Sequence, residues 1–512
     1  MYHGSDAHEY IVKHNSDDVS SPKGKRDVHL LLLFYLTWKL QIGMKNMLQK
    51  AVFSPILLGN KWTEKGDPMG ESKNKCFCVK FNKKLRINFK GAQVTSDGGL
   101  IAIRELDEKL GLTGMAGEYL KDNRHGKNIQ HEMIGLLRQS VYSRLGGYED
   151  TNDAEGLRKD PGMRAIIGER ALERAGAGET TIGRFEKEIL LGGKNLKNLD
   201  EITMKWIEKI DSVRRSKEIL LDIDSSESPV YGEQELSSYN GHFGLKCYHP
   251  LFVFNQYGEC LKVKLRPGHV HSADGWKEFL EPLLRYYTAK GMAVKLRGDA
   301  AFAIPGLFEL CEELKVDYAI RIKENNNLSK KIEGFAKRPV GRPSYKPVIK
   351  YVSFQYSADS WEKERRIVAK IEHHEGELFP RIGYIVTSLK WNNRRVVKFY
   401  NKRGTCEQWI KEGKYALNWT RLSCQVFEEN EVRLKLFIMA YNLGNIFRTL
   451  ALPEGIKDWS LRTIQLKLIK TGGRLIKHAR YYHMLLAEVS LKEWIWRGIM
   501  NKISRLCPSP FG

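Results

Sequence analysis

Apolar and polar positions change rhythm several times along the chain. From about residue 97 to 192 apolar side chains recur at helical spacing. Ser96 or Asp97 caps the run SDGGLIAIRELDEKLGL, and Met133, Ile134, Leu137, Val141 and Leu145 form one stripe. Asp160-Pro161 starts another helix, and a glycine-rich turn at 176–178 precedes Thr180-Thr181-Ile182-Gly183-Arg184-Phe185. A helix, a short glycine turn and a polar helix with an exposed Arg184 outline a helix-turn-helix, although such outlines also arise by chance. Upstream, GESKNKCFCVKFNKKLRINF alternates in a way that predicts a strand pair. Residues 1–68 lack sustained periodicity. They stand as an unassigned extension, either an accessory segment or sequence upstream of a natural start at Met69.

From residue 217 the period becomes that of strands. Lys217–Ile223 runs into acids, and Tyr248–Phe254 and Cys260–Leu265 are separated by the turn Asn255–Gly258. Ser272 is expected to cap a helix through Trp276, Phe279, Leu280, Leu283 and Leu284. Ala293–Leu296 stops at Arg297-Gly298-Asp299, a helix covers about 304–315, and Tyr318–Ile322 is another strand. This order predicts an α/β layer. Residues 326–398 break it with a basic proline–glycine loop, Lys337–Lys346, and β-like runs at 348–357, 365–372, 381–388 and 394–399. Helix returns at about 403 and again from 430, and the tail from 461 is rich in Lys and Arg. The expected organisation is a mostly helical DNA-binding domain (69–214), a core in two parts (215–325 and 399–450) split by a β-rich insertion (326–398), and a basic helical C-terminal region (451–512).

Charge narrows the partner. The 512 residues carry a formal net charge of +23, with 42% hydrophobic and 28% charged residues. A soluble globular protein with cations spread along its length suits a long polyanion better than a membrane surface, and nucleic acid is the first candidate. The apolar run His29–Trp38 is too short to span a bilayer and lies too far inside the chain for a signal peptide. The eight cysteines contain no C-x-x-C pair, so a zinc site or disulfide framework is not expected and the thiols read as reduced and intracellular.

Tyr400–Lys414, YNKRGTCEQWIKEGK, carries the densest chemistry. Tyr400, Arg403, Glu407 and Lys414 fall at intervals of three, four and seven, which on a continuous helix places them within roughly 60° of one face. An acid flanked by two cations and a phenol suits a metal held beside a phosphate. Asp224 ends the first strand of the core, with Asp222 two residues earlier on the same face, and Asp299 ends the fourth. Carboxyl ends of neighbouring strands converge in open α/β sheets. Two such carboxylates and a third from a helix could hold two divalent ions about 4 Å apart for an in-line phosphoryl displacement. Oxygen ligands favour Mg²⁺ or Mn²⁺. The plainer readings are strand-end caps for the aspartates and a solvated face with Arg403–Glu407 and Glu407–Lys411 pairs for the helix.

With these residues the chain resembles DDE transposases of bacterial insertion sequences, in the branch marked by Tyr-x2-Arg-x3-Glu-x6-Lys, which Tyr400, Arg403, Glu407 and Lys414 match at every spacing. Asp224-Ser225-Ser226 and Arg297-Gly298-Asp299 with Ala300-Ala301-Phe302 resemble the segments around the first two acids; Ser226 stands where Thr is commoner. GGYEDTNDAEGLRKDP and HSADG are similar to one subgroup, and the likeness runs from about 74 to 450. The resemblance implies a multidomain α/β protein with a ribonuclease-H-like mixed-sheet core. It implies Asp224, Asp299 and Glu407 as catalytic, metal-binding residues for Mg²⁺ or Mn²⁺, as two ions, with Asp222 as an alternative first acid. Tyr400, Arg403 and Lys414 would contact DNA phosphates. The implied partners are double-stranded DNA, as terminal inverted repeats and target, and a second copy of the chain on paired ends. The implied location is the bacterial cytoplasm, on the nucleoid.

Weaker signals surround this centre. Pro339-Val340-Gly341-Arg342-Pro343 resembles an AT-hook core in which Arg342 enters a minor groove, against the plain reading of a basic loop. His269 and His271 lack companion ligands and fit strand-end and capping roles, and Trp361 and Trp391 fit core packing better than base stacking. The competing functions are a ribonuclease-H-like nuclease or resolvase and a DNA-binding protein that has lost catalysis.

Overall fold

A computed structural model describes residues 77–78, 81, 86–87, 93–126, 129–338, 341, 345–489 and 491–506. The extension 1–68 and Arg342 of the hook-like loop lie outside these residues. The chain divides into two compact units, Met1–Asn88 and Phe89–Gly512. In the first, Phe77–Cys78 pairs antiparallel with Arg86–Ile87, the strand pair expected from the alternation.

The second unit is built on one mixed sheet of eight strands. In chain order they are β1 (Glu218–Ser225), β2 (Leu251–Asn255), β3 (Cys260–Lys264), β4 (Ala293–Gly298), β5 (Asp317–Ile322), β6 (Val348–Tyr356), β7 (Arg365–His373) and β8 (Arg381–Thr387). The spatial order is β3-β2-β1-β4-β5-β8-β7-β6. β1, β4 and β5 run parallel, while β2, β3, β6, β7 and β8 join by antiparallel pairs. Asn255–Gly258 forms the expected turn, with Gly258 at φ 79° and its N–H donating to the Asn255 carbonyl at 3.1 Å.

Alternation along the strands feeds two cores. Ile219, Leu221, Ile223, Leu251 and Val253 pack with helices Trp276–Ala289 and Pro305–Glu313 on one face. Phe252, Phe254, Cys260 and Val263 face the other, against the helices between Leu100 and Arg214 and the helix Phe427–Ile446. Phe427–Ile446 is buried almost all round, so its polar side chains need partners inside. Asn442 supplies one such pairing: its side chain accepts from the Cys260 N–H and donates to the Cys260 carbonyl, both at 2.8 Å, and so caps the outer strand β3. The N-terminal helices, one face of the sheet and the C-terminal helices therefore contribute to a common core.

The strands of 326–398 join the central sheet, with β8 pairing with β5 and carrying the sheet on to β7 and β6. Three expectations are corrected. Residues 394–399 are helical, within Asn393–Asn401, because the Asn392 side chain caps the Arg395 N–H and Val396 and Val397 bury on one helix face. The helix expected from Ser272 begins at Trp276 after Gly275 at φ 68°. The tail is not wholly helical: Gly473–His478 and Tyr481–Leu486 form a hairpin whose first strand pairs with Val94–Thr95.

Candidate active site

The two aspartates come together by sheet order. β1 and β4 are adjacent and parallel, so Asp224 near the end of β1 and Asp299 just past β4 lie at one carboxyl edge. Asp299 caps the turn Ala300–Phe302 by accepting from the Ala301 N–H at 2.9 Å, and Asp224 accepts from the Ser225 N–H at 3.0 Å. Asp222 shares the face of Asp224, opposite Phe254, but is fully buried. Its carboxylate takes a bidentate pair from Arg297, with both contacts 2.6 Å, and Arg297 also donates to the Phe399 carbonyl at 2.6 Å. Asp222 is thus held in a buried ion pair with Arg297, whereas Asp224 meets Arg403.

The Tyr400–Lys414 segment is not one uninterrupted helix. Tyr400 closes Asn393–Asn401, Lys402 and Arg403 form a turn, Glu407 lies on Gly404–Glu412, and Lys414 sits in a π turn, Gly413–Leu417. The face nevertheless survives in part. Arg403 Nη2 lies 2.8 Å from Asp224 Oδ1, and its Nη1 lies 3.3 Å from Glu407 Oε1. Cys406 and Ile410 bury on the underside of the helix, leaving Glu407 exposed. Lys414 Nζ instead reaches Glu227 Oε1 at 2.6 Å. Glu227 was not singled out in the sequence, because nothing local ties it to a residue 187 positions away.

The electrostatics follow from burial. Burial pushes the Asp224 carboxyl up to about 7; the Arg403 guanidinium opposes this, and Asp299 and Glu407 add to it. Burial also pushes the Tyr400 phenol up to about 12, against the pull of Arg403 and Arg321. A cleft of about 390 Å³ opens beside them, lined by Asp299, Arg321, Lys323, Tyr384, Tyr400 and Arg403. Arg321 and Lys323 are exposed cations at the end of β5 and were not read from the sequence.

Among the described residues no group of three or more His, Cys, Asp or Glu side chains is close enough to hold a metal ion. The donor chemistry still fits a hard divalent cation: Asp224, Asp299 and Glu407 offer carboxylate oxygens, and the cation now between two of them is Arg403.

The remaining candidates are placed apart from this cluster. Arg184 is exposed at the end of Glu179–Arg184, a six-residue helix that continues into a π turn at Phe185–Ile189. Trp361 is buried against Phe308 and Tyr356, and Trp391 stacks edge-on with Phe399 and under Arg395. His269 meets Ser238 Oγ, and His271 accepts from the Ala273 N–H, both turn roles. No described helix is long and apolar enough to cross a membrane.

Residues 77–508 match the family described as "Transposase DDE domain group 1", and the chain belongs to this family. No curated protein matches the chain.

Proposed function

We propose that the protein cuts DNA at the ends of its own element and joins those ends to target DNA. The observation that supports this reading is Arg403, which contacts both Asp224 at the sheet edge and Glu407 on the neighbouring helix, while Asp299 follows the strand adjacent to that of Asp224. The order β3-β2-β1-β4-β5 supports a ribonuclease-H-like core, with β6 to β8 as an extension of it. Asp224, Asp299 and Glu407 would hold Mg²⁺ or Mn²⁺, as two ions, once Arg403 gives up its contacts to a phosphate. Bound there, divalent ions supply Lewis-acid stabilisation of the attacking and leaving oxygens.

The chain's own groups serve a phosphodiester. Arg403 and Lys414 offer fixed positive charge where negative charge grows in the transition state, and Tyr400 stays protonated and able to donate to a phosphate oxygen. Water attacks phosphorus and the P–O3′ bond breaks, leaving a 3′-hydroxyl. That hydroxyl then attacks a target phosphodiester, whose own 3′-oxygen leaves, so one bond forms for each bond broken. Double-stranded DNA, as terminal inverted repeats and target, is the substrate. A homodimer on paired ends, in the bacterial cytoplasm on the nucleoid, is the acting form.

The test is strand cleavage of DNA carrying the presumed ends with Mg²⁺ or Mn²⁺, beside Asp299→Asn and Glu407→Gln. Each variant is expected to lose cleavage by about 10²-fold or more while binding persists. Cutting without strand joining would favour a nuclease or resolvase, and tight binding without cutting by any form a repurposed DNA-binding protein.

A further inference from the structure

The C-terminal hairpin is the strongest feature that the active site leaves unused. Gly473–His478 and Tyr481–Leu486 pair in register from Gly473–Leu486 to His478–Tyr481, joined by the two-residue turn Ala479-Arg480 with Ala479 at φ 53°. Alternation gives the ribbon two unlike faces. Leu475 is buried and Leu486 packs on the core, while Lys477 and Tyr482 of that face meet Glu173. The opposite face carries Arg474, Ile476 and His478 on one strand and Tyr481, His483 and Leu485 on the other. Five of these six are exposed, as is Arg480 at the tip.

This open face holds no acid, and neither strand contains one. The side chains of Arg474, Arg480, Tyr481 and His483 have no hydrogen-bond or ion-pair partner, so no carboxylate neutralises this face. Unpaired cations, imidazoles and a phenol on a rigid ribbon match a polyanion with base edges to offer. The ribbon's dimensions choose among nucleic-acid surfaces. Two strands about 5 Å apart with their side chains fit a major groove about 12 Å wide but not a minor groove about 6 Å wide.

We propose that this hairpin enters the major groove of duplex DNA, with Arg474 and Arg480 on flanking phosphates and Tyr481 and His483 towards the base edges. The inference rests on the transposase reading for its partner and adds a DNA-contacting element outside the catalytic cluster.

The test is binding of the full chain to duplex DNA by fluorescence anisotropy over a salt series, with thermal midpoints recorded for every form. Arg474→Gln/Arg480→Gln and Arg480→Gln alone are compared with Lys457→Ala/Arg497→Ala, a control pair whose cations already meet Glu454 and Glu493. The double glutamine variant is expected to bind about tenfold or more weakly and to lower the salt slope by about 1.8, or about 0.9 per phosphate contact. Arg480→Gln alone should lose about half of that slope change, and the control pair none. Wild-type protein should shield guanine N7 from methylation, and the double variant should not. Unchanged affinity and slope in the glutamine variants, with wild-type binding intact, would overturn the hairpin's role and leave the transposase reading standing. A loss seen only with a lowered thermal midpoint, and absent from Arg480→Gln, would overturn it too. Wild-type protein that binds no duplex would remove both.

Discussion

Arg403 donates to Asp224 at 2.8 Å, and this single contact joins the end of β1 to the helix that presents Glu407. The pair is almost closed to solvent, and Arg403 Nε is buried without a partner. Such a guanidinium can transfer its remaining donors to a phosphate at little further desolvation cost. On the proposed function, the cation that balances these acids would also receive the substrate's charge.

The raised Asp224 carboxyl sets a pH dependence. Its ordinary value is 3.8 and in the fold it rises to about 7, so between those values the native state binds more protons than the unfolded chain. Stability from this group is complete below the lower value and is lost as pH rises through the upper one. Asp224→Asn removes the titration. Thermal midpoints of wild type and variant should diverge between pH 4 and 7, with the wild type falling relative to the variant. Mn²⁺ should raise the wild-type midpoint more at pH 8 than at pH 5, because protons compete for the ligand. Parallel pH curves for the two proteins would contradict this account.

Asp222 and Arg297 make a different forecast, one of structure rather than catalysis. Both are buried, so Arg297→Ala strands a carboxylate and is expected to cost about 3–5 kcal/mol in urea unfolding. Asp222→Leu/Arg297→Met should recover most of that loss, since an apolar pair of similar volume removes the desolvation penalty. A cost of Arg297→Ala under about 1 kcal/mol would show that the pair is not what holds Phe399 to the sheet.

Gly258 couples the β2–β3 turn to the Glu407 helix. A Cβ there would stand 2.7 Å from the Trp409 ring, and φ 79° is already costly for any other residue. Gly258→Ala should therefore destabilise by about 1–3 kcal/mol through overpacking and backbone strain. Trp409 lies two residues from Glu407, so DNA cleavage should fall further than the lost folded fraction explains. A variant with a lowered midpoint but unaltered cleavage per folded molecule would separate the turn from the site.

How much of this was legible in the sequence depended on how locally each feature is encoded. β1 to β5 follow from apolar runs, and Asp224 and Asp299 sit at strand ends because the runs of β1 and β4 stop there. Asn393–Asn401 was misread since Val396-Val397 is β-branched and the deciding signal, the Asn392 cap, is a single side chain. The 326–398 strands were found, but not their pairing with β5, which short-range pattern does not carry. Likewise Arg297–Asp222, 75 positions apart, and Glu227–Lys414 depend on sheet order. The tail hairpin was hidden by its basic residues, which read as a solvated helix.

Glu227 and Lys414 pair at 2.6 Å, and on the proposed function their pairing predicts an effect on DNA affinity in both directions. Burial pushes the Glu227 carboxyl up, but the hydrogen bond and charge of Lys414 outweigh this and hold it below its ordinary 4.5. The pair's stabilisation is therefore present above that value and fades as pH falls through the lower folded one. At neutral pH Glu227 competes with phosphate for the ammonium. Glu227→Gln should free Lys414 and strengthen binding to element ends a few-fold at low salt, whereas Lys414→Ala should weaken it and lower the salt slope by about 0.9. The double variant should match Lys414→Ala, because the carboxylate acts only through the lysine it holds. Affinities that instead sum from the two single changes would mean that Glu227 repels the DNA directly, and that Lys414 is not the group it restrains.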